Sequence, residues 1–325
     1  MTKLRWGLLS TARINDALIK PLRNSDRNEL IAVASRDSNR AQAYAREKNI
    51  PRALGSYEAM ISDPEVDVIY ISLPNSMHAE WTIKATQAGK HVLCEKPLAV
   101  TVEEVDAIAA AAKQARVIVM EAFMYRCHPL TLEVKKLVES GAIGKLRLVR
   151  GSFTFNISSA SDVRLDPALG GGSIWDVGCY PISYTRMIVG AEPVEAFGWQ
   201  MTGAGDVDET FIGQLRFPGE VHAQFDCGFR SPYRTHIQIV GSDGSLAVPR
   251  PFQPKLNERI LLTNGDKERA ITVPGQELYI GEVENMADAI LHGTAPRISL
   301  ADSRGNVATI QALLRSAREG RPITI

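Results

Sequence analysis

Over its first 122 residues the chain alternates short apolar runs with helix-length segments. Residues 4–9, 29–35, 67–73 and 117–122 read as strands, as does the short apolar run from Val92 that ends on Glu95 and Lys96. Runs that are apolar throughout suit strands buried on both faces, and strands that alternate with helices predict a parallel, doubly wound α/β sheet. Between them, residues 76–88 read as a helix stopped by Gly89. Residues 101–115 read as an amphipathic helix with Val105, Ile108, Ala112 and Ala115 on one stripe. Pro21 is expected to kink or end the first helix, since it lacks an N–H and its ring crowds the preceding turn.

From residue 146 the pattern changes. Residues 146–156, 194–201, 209–217, 220–229 and 235–240 are long alternating strands, joined by turns such as Pro218-Gly219 and Ser242-Asp243-Gly244. Alternation buries one face and leaves the other to water or to another surface. This half is therefore expected to be an α+β domain: a large, mostly antiparallel open sheet with helices on one side. Helices at 279–292 and 300–318 close the chain. The expected division is a doubly wound α/β domain over 1–124 and an α+β domain over 125–325, whose open sheet face is a candidate dimer interface and whose last helices can pack back on the first domain.

A length of 325 residues suits two domains. The formal net charge is zero and there is no long run of like charge, which argues against nucleic acid or anionic membrane as a partner. Cys94, Cys127, Cys179 and Cys227 are scattered without a CxxC pair, so neither a metal site nor a disulfide framework is expected. Met1-Thr2-Lys3-Leu4-Arg5-Trp6 enters a strand pattern without the segments of a signal peptide. No apolar run reaches membrane-spanning length, and a cytoplasmic location is expected.

The stretch Val92-Leu93-Cys94-Glu95-Lys96-Pro97-Leu98 places a carboxylate and a lysine at the carboxyl end of a strand, and Pro97 then stops further pairing. Ligands bind at that edge in open α/β sheets. At the same edge, Ser10-Thr11-Ala12-Arg13-Ile14-Asn15 follows the first strand. It stands where a glycine-rich turn would bring backbone N–H groups to a pyrophosphate, with small residues at the glycine positions. Ser35-Arg36-Asp37 follows the second strand, where an adenosine ribose is met. Arg36 offers a fork of donors suited to a 2′-phosphate, with Ser35 and Arg40 as helpers; the plain alternative is a solvated arginine beside an Asp37 helix cap. Leu73-Pro74-Asn75-Ser76-Met77-His78 forms a third loop there. His78 either serves the cofactor or merely packs and caps.

At the domain crossing, Tyr125-Arg126-Cys127-His128-Pro129 groups a phenol, a cation and an imidazole. Further on, Gly170-Gly171-Gly172 lets a loop approach a ligand closely. The helix expected after it sets Asp176 and Tyr180 on one face, beside Trp175.

With these residues in hand, the chain resembles the glucose-fructose oxidoreductase, inositol dehydrogenase and rhizopine-catabolism (Gfo/Idh/MocA) family over essentially its whole length. Glu95-Lys96-Pro97, the stretch from Gly170 to Tyr180 and the order of elements carry the resemblance. Gly55-Ser56-Tyr57-Glu58, Ser35-Arg36-Asp37 and Phe217-Pro218-Gly219-Glu220-Val221-His222 make it most similar to the NADP-dependent dihydrodiol and aldose dehydrogenases. Ser10 and Ala12 depart from the family's glycines. Tyr180 stands where many members have histidine, which shifts the expected substrate away from inositols.

The resemblance implies a dinucleotide-binding Rossmann domain followed by a substrate-binding and dimerisation domain, and hydride transfer between NADP (NAD being possible) and a sugar or cyclic polyol, in a homodimer or dimer of dimers. Ser10, Thr11, Ala12, Arg13, Ile14, Ser35, Arg36, Arg40, Leu73, Pro74, Asn75, His78, Glu95 and Lys96 would hold the cofactor. Arg126, His128, Trp175, Asp176 and Tyr180 would hold the substrate. Oxidising a hydroxyl needs a group to take its proton. A phenol, with an ordinary pKa of about 10, serves better beside an ammonium. Tyr180 is thus expected to handle the proton, Lys96 to assist it, and Asp176 to orient a substrate hydroxyl or Lys96; the roles of Lys96 and Tyr180 are interchangeable on this evidence. The other readings are a keto-sugar or dicarbonyl reductase and an aldose–aldose oxidoreductase that retains its cofactor. A non-catalytic NADP sensor is disfavoured by the joint presence of Lys96, Asp176 and Tyr180.

Overall fold

Strands β1 (Leu4–Leu9), β2 (Asn28–Ala34), β3 (Arg52–Leu54), β4 (Val68–Ile71), β5 (His91–Glu95) and β6 (Val119–Ala122) form one sheet in the order β3-β2-β1-β4-β5-β6. Every pairing in it is parallel, as the alternation predicts. The computed structural model describes residues 3–325; Met1 and Thr2, which open the first strand pattern, lie outside the described residues. Helices α1 (Asn15–Asn24), α2 (Ser38–Lys48), α3 (Tyr57–Ser62), α4 (Asn75–Gln87) and α5 (Val102–Ala115) connect the strands. Thr101 and Glu104 start α5 with a reciprocal capping box.

Pro21 does not end α1, which runs on to Asn24. Burial of Leu18, Ile19, Pro21 and Leu22 holds the last turn in spite of the missing N–H. Strand β6 starts two residues later than residue 117. Arg116 adopts left-handed backbone angles, and Val117 N–H closes α5 by donating to Ala112 O. The three-residue β3 carried no apolar run to reveal it.

The second sheet contains β7 (Leu146–Asn156), β8 (Glu195–Thr202), β9 (Asp208–Arg216), β10 (His222–Gly228), β11 (Arg230–Gly241), β12 (Ser245–Val248), β13 (Glu258–Asn264), β14 (Lys267–Val273) and β15 (Ile323–Thr324). Their order is β14-β13-β12-β11-β7-β10-β9-β8-β15, antiparallel except between β7 and β10. The chain is thus a parallel six-stranded α/β sheet followed by a mostly antiparallel nine-stranded one. Helices α6 (Pro129–Glu139), α7 (Cys179–Val189), α8 (Ile280–His292) and α9 (Leu300–Glu319) complete it.

Phe211 and Leu215 on β9 and Ala223, Phe225 and Cys227 on β10 are buried. Gly151 lets α7 lie flat on β7, because a Cβ there would stand 2.7 Å from Pro181 Cβ. On the opposite face Trp199, Met201 and Ile212 are exposed, and Trp199 pairs with Ile212 across β8 and β9.

Residues up to Met124 group with Tyr279–Arg304 in one unit, and Tyr125–Leu278 group with Gly305–Ile325 in the other. Within the first unit, Arg27 Nε donates to Glu284 Oε2 on α8 at 2.7 Å and Ser25 Oγ to Glu284 Oε1 at 2.5 Å. Among the described residues no helix is long and apolar enough to cross a membrane, and no group of His, Cys, Asp or Glu side chains is disposed to hold a metal. All four cysteines are buried.

Candidate active site

The strand order of the first sheet reverses between β1 and β4, and the crevice beyond the carboxyl ends of such a pair is where dinucleotides bind. Ser10 follows β1 with φ +135°, a conformation that ordinarily selects glycine. Its neighbours hold it there. Ser10 Oγ lies 2.8 Å from Ser72 Oγ and accepts from Ala12 N–H at 3.1 Å, while Asn15 Nδ2 donates to Ser10 O at 2.9 Å. Ser72 Oγ donates to Asn15 Oδ1 at 2.7 Å and closes the network. At the start of α1, Ile14 makes no side-chain cap.

At the end of β2, Asp37 caps α2, its Oδ1 accepting from Asn39 N–H at 2.8 Å and Arg40 N–H at 3.2 Å. Arg36 is exposed beside it, as is Arg40 in the first turn of α2.

Lys96 follows β5, and its peptide bond to Pro97 is cis. The backbone around it is held from several sides. Lys96 N–H donates to Glu95 Oε2 at 3.3 Å, and Leu98 N–H donates to Glu121 Oε1 at 2.9 Å. His78, almost wholly buried, sets Nδ1 2.7 Å from Pro97 O and Nε2 2.7 Å from Leu73 O. The imidazole thereby sits between the Leu73 loop and the lysine turn, its neutral form donating to one of the two carbonyl oxygens. Burial pushes the His78 pKa down, and the two carbonyl oxygens oppose that shift.

Tyr70 donates its phenolic proton to Glu95 Oε1 at 2.5 Å. Close to this pair lies Glu282, whose carboxyl is fully buried and held well above the usual carboxylate range by burial and then by Glu95. Burial, then the Glu95 and Glu282 charges, likewise raise the Tyr70 and Tyr279 phenols.

In the second unit, two of the three glycines make room for the chain's own atoms. A Cβ on Gly171 would stand 2.6 Å from Arg164 O, and one on Gly172, at φ +122°, would stand 2.4 Å from Asp208 Oδ1. Close approach to a ligand, the reading taken from the sequence, is not what these two positions need. Ile174–Gly178 then forms a π-helical turn that leads into α7; such turns are frequent at functional sites.

Asp176 lies in that turn, and Arg164 Nε donates to its Oδ2 at 2.8 Å. Arg164 also reaches Asp162, and these two carboxylates, Asp176 foremost, raise its pKa. Tyr180 is 6% exposed and ringed by aromatics, with centroids at 5.2 Å to Phe153, 5.4 Å to Phe252 and 5.7 Å to Tyr125. Trp175, next to Asp176 in sequence, is buried.

Arg126 is buried, its Nη1 donating to Ser183 Oγ at 2.9 Å. His128 caps α6. Its Nδ1 accepts from Leu130 N–H at 3.1 Å, which leaves the proton on Nε2, 3.3 Å from Gln276 O, and burial lowers its pKa.

Sequence reasoning missed Arg164, Asp208, Glu282 and the rings of Phe153 and Phe252. Arg164 had a local signal, lying between Asp162 and Asp166 just ahead of the glycines. The others are joined to the site only through sheet pairing and helix return.

Two family models match the chain. The GFO_IDH_MocA oxidoreductase family, NAD-binding Rossmann fold, covers residues 4–123, and the GFO/IDH/MocA C-terminal domain covers residues 131–247. D-xylose 1-dehydrogenase (NADP(+)) 2 of Haloferax volcanii is 36% identical over 326 residues, covering 99% of this chain and 100% of that protein. Trans-1,2-dihydrobenzene-1,2-diol dehydrogenase of Danio rerio is 32% identical over 318 residues, covering 92% of each chain. The crystal structure of aldose-aldose oxidoreductase from Caulobacter crescentus complexed with glycerol superposes with a TM-score of 0.91 at 29% identity, covering 99% of this chain and 100% of that one. With a dinucleotide crevice in one unit and an acid–phenol helix in the other, this chain belongs to the GFO/IDH/MocA oxidoreductase family and is a nicotinamide-dependent oxidoreductase.

Proposed function

We propose that the protein is an NADP-dependent dehydrogenase acting on a hydroxyl carbon of a sugar or cyclic polyol, most simply the anomeric carbon of an aldose. The observation that carries this reading is Lys96, set at the carboxyl end of β5 on a turn tied by Glu95 and Glu121 and bordered by His78. The D-xylose dehydrogenase relative supports the aldose and the NADP. The nicotinamide, when bound, accepts the hydride.

Residues Ser10 to Ile14 hold the pyrophosphate at the start of α1. Ser35, Arg36 and Arg40 meet the ribose 2′-phosphate. Leu73, Pro74 and Asn75 border the cofactor, with His78 against their backbone, and Glu95 orients the turn of Lys96. Tyr180 takes the hydroxyl proton as the hydride leaves, or Lys96 does so with Tyr180 as its partner; Asp176 orients a second hydroxyl. Arg126, His128 and Trp175 shape the substrate walls of the second unit. The likeness to the aldose-aldose oxidoreductase favours a second reading, in which the cofactor stays bound and a second sugar reoxidises it.

Nicotinamide absorbance, followed with NADP and NAD against aldoses, inositols and trans-dihydrodiols, tests this. Turnover of an aldose with NADP is expected, falling by roughly 10²–10⁴-fold in Lys96→Met and Tyr180→Phe. Full activity in both variants would end the proposal. We also place the protein in the cytoplasm as a homodimer, joined through the open sheet face bearing Trp199, Met201 and Ile212; light scattering that gives a monomer at working concentration rejects the dimer.

A further inference from the structure

We infer that Asp208 is a positioning residue for Asp176 and Tyr180: reaching across from β9, its carboxylate caps the helical segment that carries both. The inference rests on the reading above only where it assigns those two residues to the site.

A helix start leaves backbone N–H groups without intrahelical partners, and Ser, Thr, Asp or Asn at the N-cap ordinarily fills the gap. Ser173 has the right identity and stands immediately before the π-helical turn. It makes no side-chain cap, and its backbone is already helical at φ −68°, ψ −32°. Its Oγ instead donates to Asp208 Oδ2 at 2.6 Å, and Ile174 N–H donates to the same oxygen at 2.8 Å. One oxygen supplied 34 residues along the chain thus does the work of a local cap.

The surroundings are built to admit this carboxylate. Asp208 is 4% exposed and Ser173 is fully buried. The other oxygen, Oδ1, occupies the space that a side chain at residue 172 would need. Burial raises the Asp208 pKa to about 6, and its hydrogen bonds pull it back down. Keeping a carboxylate where water is nearly excluded costs free energy. What it secures is the start of the segment, two residues before Asp176 and six before Tyr180. Displacing a catalytic group by about 1 Å can slow turnover by about 10²-fold.

The test uses the full chain and two substitutions at Asp208, with amide hydrogen exchange over residues 174–180 as a readout independent of activity. Asp208→Ala is expected to speed exchange there while NADP binding stays as in wild type. It should lower kcat by about 10²-fold, with KM for the sugar little changed. Asp208→Asn can keep a carbonyl oxygen at the Oδ2 position and its amide toward Gly172, so it should restore slow exchange and most of kcat. If Asp208→Ala does not fold, Ser173→Ala removes one of the two donors and should give an intermediate effect. Wild-type exchange in Asp208→Ala, or exchange in Asp208→Asn as fast as in Asp208→Ala, overturns the cap. Faster exchange with full kcat overturns the positioning role; a fully active Tyr180→Phe would then trace the failure to the functional reading.

Discussion

Ser10 Oγ stands 2.8 Å from Ser72 Oγ, which joins the turn after β1 to the loop after β4 at the point where the sheet reverses its order. The contact explains how a serine holds backbone angles that usually require glycine. Ser72→Ala removes the hydroxyl that donates to Asn15 Oδ1 and leaves that buried oxygen without its donor. The expected cost is about 1–3 kcal/mol in urea unfolding, with weaker NADP binding measured by fluorescence titration. Wild-type NADP affinity in this variant would show that the network does not shape the cofactor turn.

Arg36 is exposed at the end of β2 while Asp37 is committed to capping α2. Arg36→Ala should therefore raise KM for NADP by roughly 10–10²-fold, the worth of a charge-assisted contact, and leave KM for NAD nearly unchanged. Equal losses with both cofactors would argue against a 2′-phosphate contact.

Arg164 pairs with Asp176 from a side chain that is 42% exposed, so solvent screening limits what the pair adds to stability. Arg164→Ala should shift the urea midpoint by less than about 1 kcal/mol. Its effect belongs in the site. With Asp176 no longer held, KM for the sugar should rise by about tenfold, the effect of losing one oriented hydrogen bond. A destabilised protein with unchanged KM would make the ion pair a structural contact only.

Asp208 titrates near 6 in the folded chain against 3.8 for the ordinary side chain. The folded state binds this proton more tightly than the unfolded state. The resulting stabilisation is complete below about pH 4 and is lost as pH rises through about 6, amounting to about 3 kcal/mol. The wild-type urea midpoint should consequently fall more than that of Asp208→Asn between about pH 5 and about pH 8. Parallel curves for the two proteins would contradict the shift.

Glu282 presents a fully buried carboxyl with neither oxygen hydrogen-bonded among the described residues. Burial, then the Glu95 charge, raises its pKa, and Gln is close to isosteric with the protonated carboxyl. Because the shift is upward, wild type loses stability as pH rises toward the Glu282 pKa. Relative to Glu282→Gln, wild type should therefore lose stability progressively as pH is raised from about 4, where the unfolded carboxyl ionises while the folded one holds its proton. Thermal scans across that range read the divergence, and its absence would mean that Glu282 is not the group titrating.

Most of the sheet architecture was legible because the strands advertise themselves. Apolar runs gave β1, β2, β4 and β5 to within a few residues, and alternation gave β7 to β11. What escaped is what local pattern does not encode. Pro21 reads as a helix stop, yet burial of Leu18, Ile19 and Leu22 carries α1 past it. The start of β6 was delayed by the closing turn of α5 at Arg116. In the candidate site, Lys96 and Arg36 were visible from their places at strand ends. The Arg164 partner of Asp176 and the Asp208 hold on Ser173 depend on side chains brought together by loop closure and by sheet pairing.

Residues 279–304 complete the first unit although they follow the whole second sheet. As the chain leaves the ribosome, Arg27 therefore waits for Glu284 and Asp288 until more than 250 further residues have been made. Through that interval the α1 surface that α8 later covers stays open to solvent and to chaperones, the kind of transient exposure that invites aggregation. A fragment cut at Met124 would be frozen in that state, so excising the dinucleotide-binding half for separate study requires that residues 279–304 be grafted back.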